Sequence, residues 1–129
     1  MIRVAMAKRA TIDFQPTYRT LRGIVERYAS TFDVIKESPT AYYLASKTAK
    51  TRSGAPVWFG GAQIMKNYVS FHLIPVYADP ALLKTVSPRL RKRMQGKSCF
   101  NFTSLDAVDV RELTTLTRRG FDTFTRQFS

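Results

Sequence analysis

The sequence predicts an α+β fold, an antiparallel sheet of about five strands with N- and C-terminal helices packed on one face. Three observations predict it. Residues 57–74 read as a β-hairpin with two unlike faces, apolar stripes at helical spacing occupy 15–30 and the segment after Asp109, and 97–103 returns to strand alternation.

The hairpin is the most informative stretch. With the turn at Lys66-Asn67, Met65 pairs with Tyr68, Ile64 with Val69, Gln63 with Ser70, Ala62 with Phe71 and Gly61 with His72. Side chains alternate across a strand, so Trp58, Ala62, Ile64, Val69, Phe71 and Leu73 are expected on the core face. Gln63, Tyr68, Ser70 and His72 then share the opposite face, where Gly60 and Gly61 leave room for a close approach.

The remaining elements follow in order. Residues 1–14 are expected to form a loose tail, and 15–129 a single α+β domain. In 15–30, Leu21, Ile24, Val25 and Tyr28 make one helical face, with Pro16 suited to the first turn and Gly23 weakening the helix or marking close packing. Two strands are expected at 31–38 and 40–46, broken at Pro39, with Tyr42 and Leu44 facing one way and Tyr43 and Ala45 the other. Residues 47–56 have the composition of a solvated basic loop. Asp79-Pro80 and Ser87-Pro88 each signal a helix start. In 97–103, Phe100 and Phe102 should join the core, which leaves Cys99 and Asn101 on the side of His72 and Gln63. Asp109 with Glu112 resembles a capping box, and Val110, Leu113, Leu116 or Thr117, Phe121 and Phe124 continue a helical stripe.

Composition bounds the function. A chain of 129 residues buries roughly two thirds of its unfolded surface without staples. The single cysteine forbids an internal disulfide and suits a reducing, cytoplasmic setting. No segment approaches the roughly 18 apolar residues of a membrane helix, and residues 1–10 lack a signal-peptide apolar run. Twenty-one Lys and Arg against nine Asp and Glu give a net charge of +12, a field that attracts phosphorylated molecules, nucleic acid and other polyanions without selecting among them.

The chemical motifs are sparse. Gln95-Gly96-Lys97-Ser98 fails as a phosphate-binding loop, because Arg91 stands where the first glycine belongs and a strand follows. His72 and Cys99 are each unique and the carboxylates are scattered, so no metal or cofactor is assigned. The same two residues are the only candidates for nucleophilic chemistry, and alternation puts them on one face. A solitary strand cysteine is more often an inert small hydrophobe, so the sequence assigns no catalytic residue and leans away from an enzyme.

The order of elements, and above all the run from Ser87-Pro88 through Arg91, Arg93, Met94-Gln95-Gly96-Lys97-Ser98-Cys99-Phe100-Asn101-Phe102, resembles the small bacterial YdhG-like family of unknown function over about residues 15 to 127. That resemblance implies an α+β fold with helices on one face of an antiparallel sheet, and a relation to proteins described as frataxin-like iron chaperones. The iron role is not carried over. The first helix offers Glu26 alone against Arg19, Arg22 and Arg27, and a +12 surface repels a cation over a Debye length of about 8 Å.

The expectation is therefore a protein that binds an anionic small molecule or partner on the open face of its sheet. Gln63, Tyr68, His72 and Asn101 supply polar contacts there, and Arg91, Arg93 and Lys97 supply charge. The rival readings are non-specific nucleic-acid binding and self-association as a homodimer.

Overall fold

The computed structural model describes residues 12–128, and its sheet is built outward from the hairpin. The chain runs through helix α1 (Gln15–Glu26), a 3-10 turn (Ala29–Thr31) and strands β1 (Asp33–Glu37), β2 (Ala41–Lys50), β3 (Pro56–Ile64) and β4 (Val69–Leu73). Three short helices follow, α2 (Ile74–Ala78), α3 (Pro80–Lys84) and α4 (Pro88–Arg91), then β5 (Met94–Gln95), β6 (Cys99–Phe102) and the long helix α5 (Ala107–Phe128). The six strands lie in the order β1-β2-β3-β4-β6-β5, with every pairing antiparallel. The fold class is the predicted one. Met94–Gln95 supplies the additional strand, where the sequence reads as a continuing basic helix.

The hairpin register is as predicted: Gly61 opposes His72, Ala62 Phe71, Gln63 Ser70 and Ile64 Val69, and the Met65 N–H donates to the Tyr68 carbonyl at 2.8 Å. α1 and α5 cover one face of the sheet. Tyr18, Leu21, Ile24 and Val25 from α1 and Leu113, Leu116 and Phe124 from α5 meet Tyr42, Leu44, Phe59, Phe71, Phe100 and Phe102 from the strands, all buried. Phe32 stacks on Phe59 at 4.5 Å, and Phe124 meets both rings edge-on at 5.5 to 5.6 Å. Such pairs add about 0.5–1.5 kcal/mol each beyond the area they bury.

Trp58 is the main departure. Leu44 pairs with Gly60 but Ala45 pairs with Trp58, so β3 carries one more residue than β2 across this step. This bulge turns Phe59 into the core and sends Trp58, 43% exposed, to the helix-free face. Strict alternation would have reversed the two. Burying the phenyl ring stabilises by about 2–3 kcal/mol without stranding an indole N–H, so the bulge suits Phe59 inside and Trp58 outside.

Smaller departures have local causes. Phe14 is buried in the core, so the packed domain begins before Gln15; residues 1–11 of the expected tail lie outside the described residues. A Cβ on Gly23 would meet nothing within 4 Å, so that glycine marks no close packing. β2 runs to Lys50, shortening the basic loop to a turn between Lys50 and Pro56. Asp79 and Ser87 cap α3 and α4 as expected, accepting from the Ala81 and Leu90 N–H groups. At α5, however, the reciprocal cap is Asp106 with Asp109, while Glu112 accepts from the Ser87 N–H and hydroxyl at 2.8 and 2.6 Å. Arg89 ion-pairs with both aspartates of that cap. No helix among the described residues is long and apolar enough to cross a membrane.

Two substitutions test this packing. A Cβ on Gly61 would collide with the Tyr42 carbonyl and the Tyr43 ring, so Gly61→Ala should lower stability in urea unfolding by about 2–3 kcal/mol. The Thr117 hydroxyl is buried without a hydrogen-bond partner among the described residues, so Thr117→Val should raise the urea midpoint, by about 1 kcal/mol in stability.

Candidate functional site

The helix-free face is organised in two cross-strand rows. One runs from Lys36 through Tyr43, Gly61, His72 and Cys99 to Gln95; the other runs from Ala41 through Gln63 and Ser70 to Asn101. Each member is set by the pairing of its strand, so the row is as rigid as the sheet beneath it. Gly61 lacks a side chain because the Tyr43 ring lies across it.

Tyr43 anchors the aromatic end. It is only 6% exposed, lies 4.8 Å from Trp58 and 5.6 Å from His72 between ring centres, and its hydroxyl donates to Gln63 Oε1 at 2.8 Å. Burial, with a smaller contribution from nearby Cys99, pushes its phenol up to about 12. It is a neutral hydrogen-bond donor throughout the working range.

The polar end holds the chain's one cysteine and one histidine in contact. Cys99 Sγ lies 2.9 Å from His72 Nδ1 and 3.9 Å from Nε2, and Ser70 Oγ lies 3.1 Å from Nε2. Burial lowers the His72 pKa and raises that of Cys99, the latter opposed in part by hydrogen bonds from Ser98 and Ser70. Both shifts favour the uncharged partners, a thiol and a neutral imidazole. The two sulfur distances place Sγ beside the ring and off the axis of the Nδ1 lone pair, a close packing contact, while Nε2 and the Ser70 hydroxyl are within hydrogen-bond distance of each other.

The predicted binding residues distribute unevenly around this line. His72, Gln63 and Asn101 share the face, and Asn101 donates through Nδ2 to Gln95 Oε1 at 2.7 Å. Tyr68, partly buried, sits two residues before Ser70 at the hairpin end. Arg93 continues the β5–β6 register opposite Asn101, whose N–H donates to the Arg93 carbonyl at 2.8 Å, and so brings a cation to the rim. Lys97 is exposed in the connecting turn, where Gly96 adopts the left-handed φ of 76°. The Gly-Lys-Ser motif is thus a hairpin turn. Arg91 departs from the expected set: its guanidinium donates to the Leu83 carbonyl at 2.8 Å and is tied to α3.

Sequence reasoning left Trp58, Tyr43 and Gln95 out of the site. Tyr43 was already readable on this face from its alternation with Tyr42. Trp58 was obscured by the bulge, for which Gly60-Gly61 beside an adjoining Trp-Phe pair is the available signal. Cavities open elsewhere, among them one of about 440 Å3 lined by Gln15, Tyr18, Arg19, Arg22, Glu26 and Pro39, and one of about 240 Å3 lined largely by Phe32, Lys47, Phe124 and Phe128. In the first, Arg22 is already engaged by Glu26 and Glu37 and lies 4.3 Å from the centre of the Tyr42 ring. Among the described residues, no three His, Cys, Asp or Glu side chains stand close enough together to hold a metal ion.

No protein-family model matches the chain, and neither a curated protein nor a solved structure is similar to it. The YdhG-like resemblance therefore rests on the residues that carry it.

The neutral pair has a thermodynamic signature. A histidine whose pKa falls on folding contributes stability above its unfolded pKa of about 6.5, and that contribution is lost as pH falls towards the folded value. Wild type should therefore lose more stability than His72→Gln between pH 7.5 and pH 5, in paired urea titrations; parallel losses would contradict a histidine held neutral by burial.

Proposed function

We propose that the protein binds an anionic small molecule or an anionic partner segment on the helix-free face of its sheet. The observation that carries this reading is the row Tyr43, His72 and Cys99, held by the strand register, with Trp58 packed beside Tyr43 and the carboxamides of Gln63 and Asn101 along its flank. The core occupies the other face, so apolar burial has already fixed these side chains before a ligand arrives. Little ordering remains to oppose binding.

The charge distribution supports an anion. Lys36 stands opposite Tyr43 at one end of the first row, and Arg93 stands opposite Asn101 at the other edge of the sheet. These cations flank a neutral centre in a chain of net charge +12, an arrangement that draws an anion to the rim while rings and amides orient it. The reading accords with a cytoplasmic member of a YdhG-like family. Nothing in the row discriminates among bases, so nucleic acid would bind through charge and stacking alone, with affinity falling steeply with salt.

Trp58 is the chain's one tryptophan and packs against Tyr43 on this face, so its fluorescence reports on it. Titration with adenosine monophosphate, benzoate and a short single-stranded oligonucleotide should give a saturable change with at least one probe at low salt. Arg93→Ala should weaken that binding, roughly tenfold for loss of one charge-assisted contact. An unchanged emission with all three, in a folded protein, would defeat the reading.

A further inference from the structure

We propose that Cys99 is a base-assisted nucleophile that accepts acyl groups from esters or thioesters, with His72 as its proton acceptor and Ser70 as the residue that positions the imidazole. The three parts such a site needs are in contact: sulfur to Nδ1 at 2.9 Å and to Nε2 at 3.9 Å, and Nε2 to a hydroxyl oxygen at 3.1 Å. The two sulfur distances place Sγ off the axis of the Nδ1 lone pair, so the imidazole turns about its Cβ–Cγ bond to bring Nδ1 to the thiol proton before transfer. His72 and Cys99 are directly paired residues of β4 and β6, and Ser70 is the next same-face residue on β4, so the sheet itself sets their proximity. Structural burial alone does not explain it. Cys99 retains solvent access, whereas the core face of the same strand pair is filled by Phe71 and Phe100.

The step balances without another reagent than water. As the sulfur attacks the carbonyl carbon, its proton passes to His72 Nδ1, and the Ser70 oxygen accepts from Nε2–H of the imidazolium that forms. Collapse of the adduct breaks the bond from carbon to the leaving oxygen or sulfur, which takes the proton back from Nδ1. Water then attacks the thioester with the same base and releases a carboxylic acid, restoring the thiol. Asn101 Nδ2 has one hydrogen committed to Gln95, and Gln63 accepts from Tyr43 through its oxygen, so each carboxamide keeps an N–H to offer an oxyanion. The exposed Trp58 ring, continued by Tyr43 towards the imidazole, is a shelf for a flat apolar group, which favours donors that carry one.

This chemistry shares the face assigned above to ligand binding but does not require the ligand to be an anion. Acylation is read on the sulfur and anion binding on Trp58 emission, so each can fail while the other stands.

The proton traffic sets a characteristic pH dependence. The side chains around the pair are Tyr43 from β2, Gln63 from β3, Ser70 from β4, Gln95 from β5 and Asn101 from β6; the cations of this face, Lys36 and Arg93, stand at the row ends, and no salt bridge among the described residues reaches His72 or Cys99. Tyr43 stays neutral, so His72 and Cys99 alone define the profile. With the imidazole lowered and the thiol raised, a base-assisted attack has a plateau wider than the interval between the ordinary imidazole and thiol values, where an unassisted thiol climbs about tenfold per unit.

The test uses p-nitrophenyl acetate with the full chain. Wild type should release a burst of one nitrophenolate per chain, place one acetyl group on Cys99 by peptide mass, and show the plateau. Its rate at pH 7 should exceed that of N-acetylcysteine at least tenfold. Cys99→Ala should abolish the burst, and His72→Gln should slow it about 100-fold, within the range of general-base assistance. Ser70→Ala should shift the acidic limb of the profile, and Ser70→Thr should restore it. A wild-type rate matching N-acetylcysteine, or a log-linear climb with pH, would overturn the proposal even if the histidine variant does not fold.

Discussion

The pairing of β4 with its two neighbours is the constraint on which the rest depends. Opposing Phe71 to Ala62 and Phe100 puts aromatic mass under the helices, and the next residue must then face away, opposite Gly61 and Cys99. A slip of one residue would send every side chain of β4 to the other face. His72 would enter a phenylalanine core and Phe71 would enter water, a loss of several kcal/mol from the ring's exposure and the imidazole's desolvation together. Burial on one face thereby holds the polar row on the other.

Much of this was legible in the chain because alternation is a strict geometric rule. The hairpin register, the inward Phe71, Phe100 and Phe102, the outward His72, Cys99 and Asn101, and the caps at Asp79 and Ser87 all follow from spacing and turn chemistry. The errors arose where the rule is locally broken. One extra residue at Phe59 inverts the strand before it, and periodicity has no term for a bulge. Met94–Gln95 is a two-residue strand held by its neighbour β6, too short to have a period of its own. At α5 Asp106 takes the cap expected of Asp109, and Asp109 the reciprocal place expected of Glu112, because Ser87, distant in sequence, recruits the Glu112 carboxylate. A tertiary contact of that kind leaves no local trace.

The same limit applies to chemistry. Shared-face membership of His72 and Cys99 was readable, but contact distance and the arrangement of Ser70 behind the ring depend on side-chain rotamers and on the twist of the sheet. Net charge was equally coarse. The chain's +12 does not fall on the row itself, whose centre is uncharged; the cations stand at its ends, while Arg22 and Arg89 are consumed in ion pairs beside α1 and α5. Exposed pairs of this kind add little to stability, so their main effect is to remove those cations from the supply available to a ligand.

The most direct measurement is the pair of imidazole nitrogen shifts of His72, obtained by long-range proton–nitrogen NMR on uniformly labelled protein. At pH 7 the account predicts a neutral ring with the proton on Nε2 and an Nδ1 shift displaced by the thiol, the displacement disappearing in Cys99→Ala. Two protonated nitrogens at pH 7, or an Nδ1 resonance indifferent to removal of the sulfur, would contradict it.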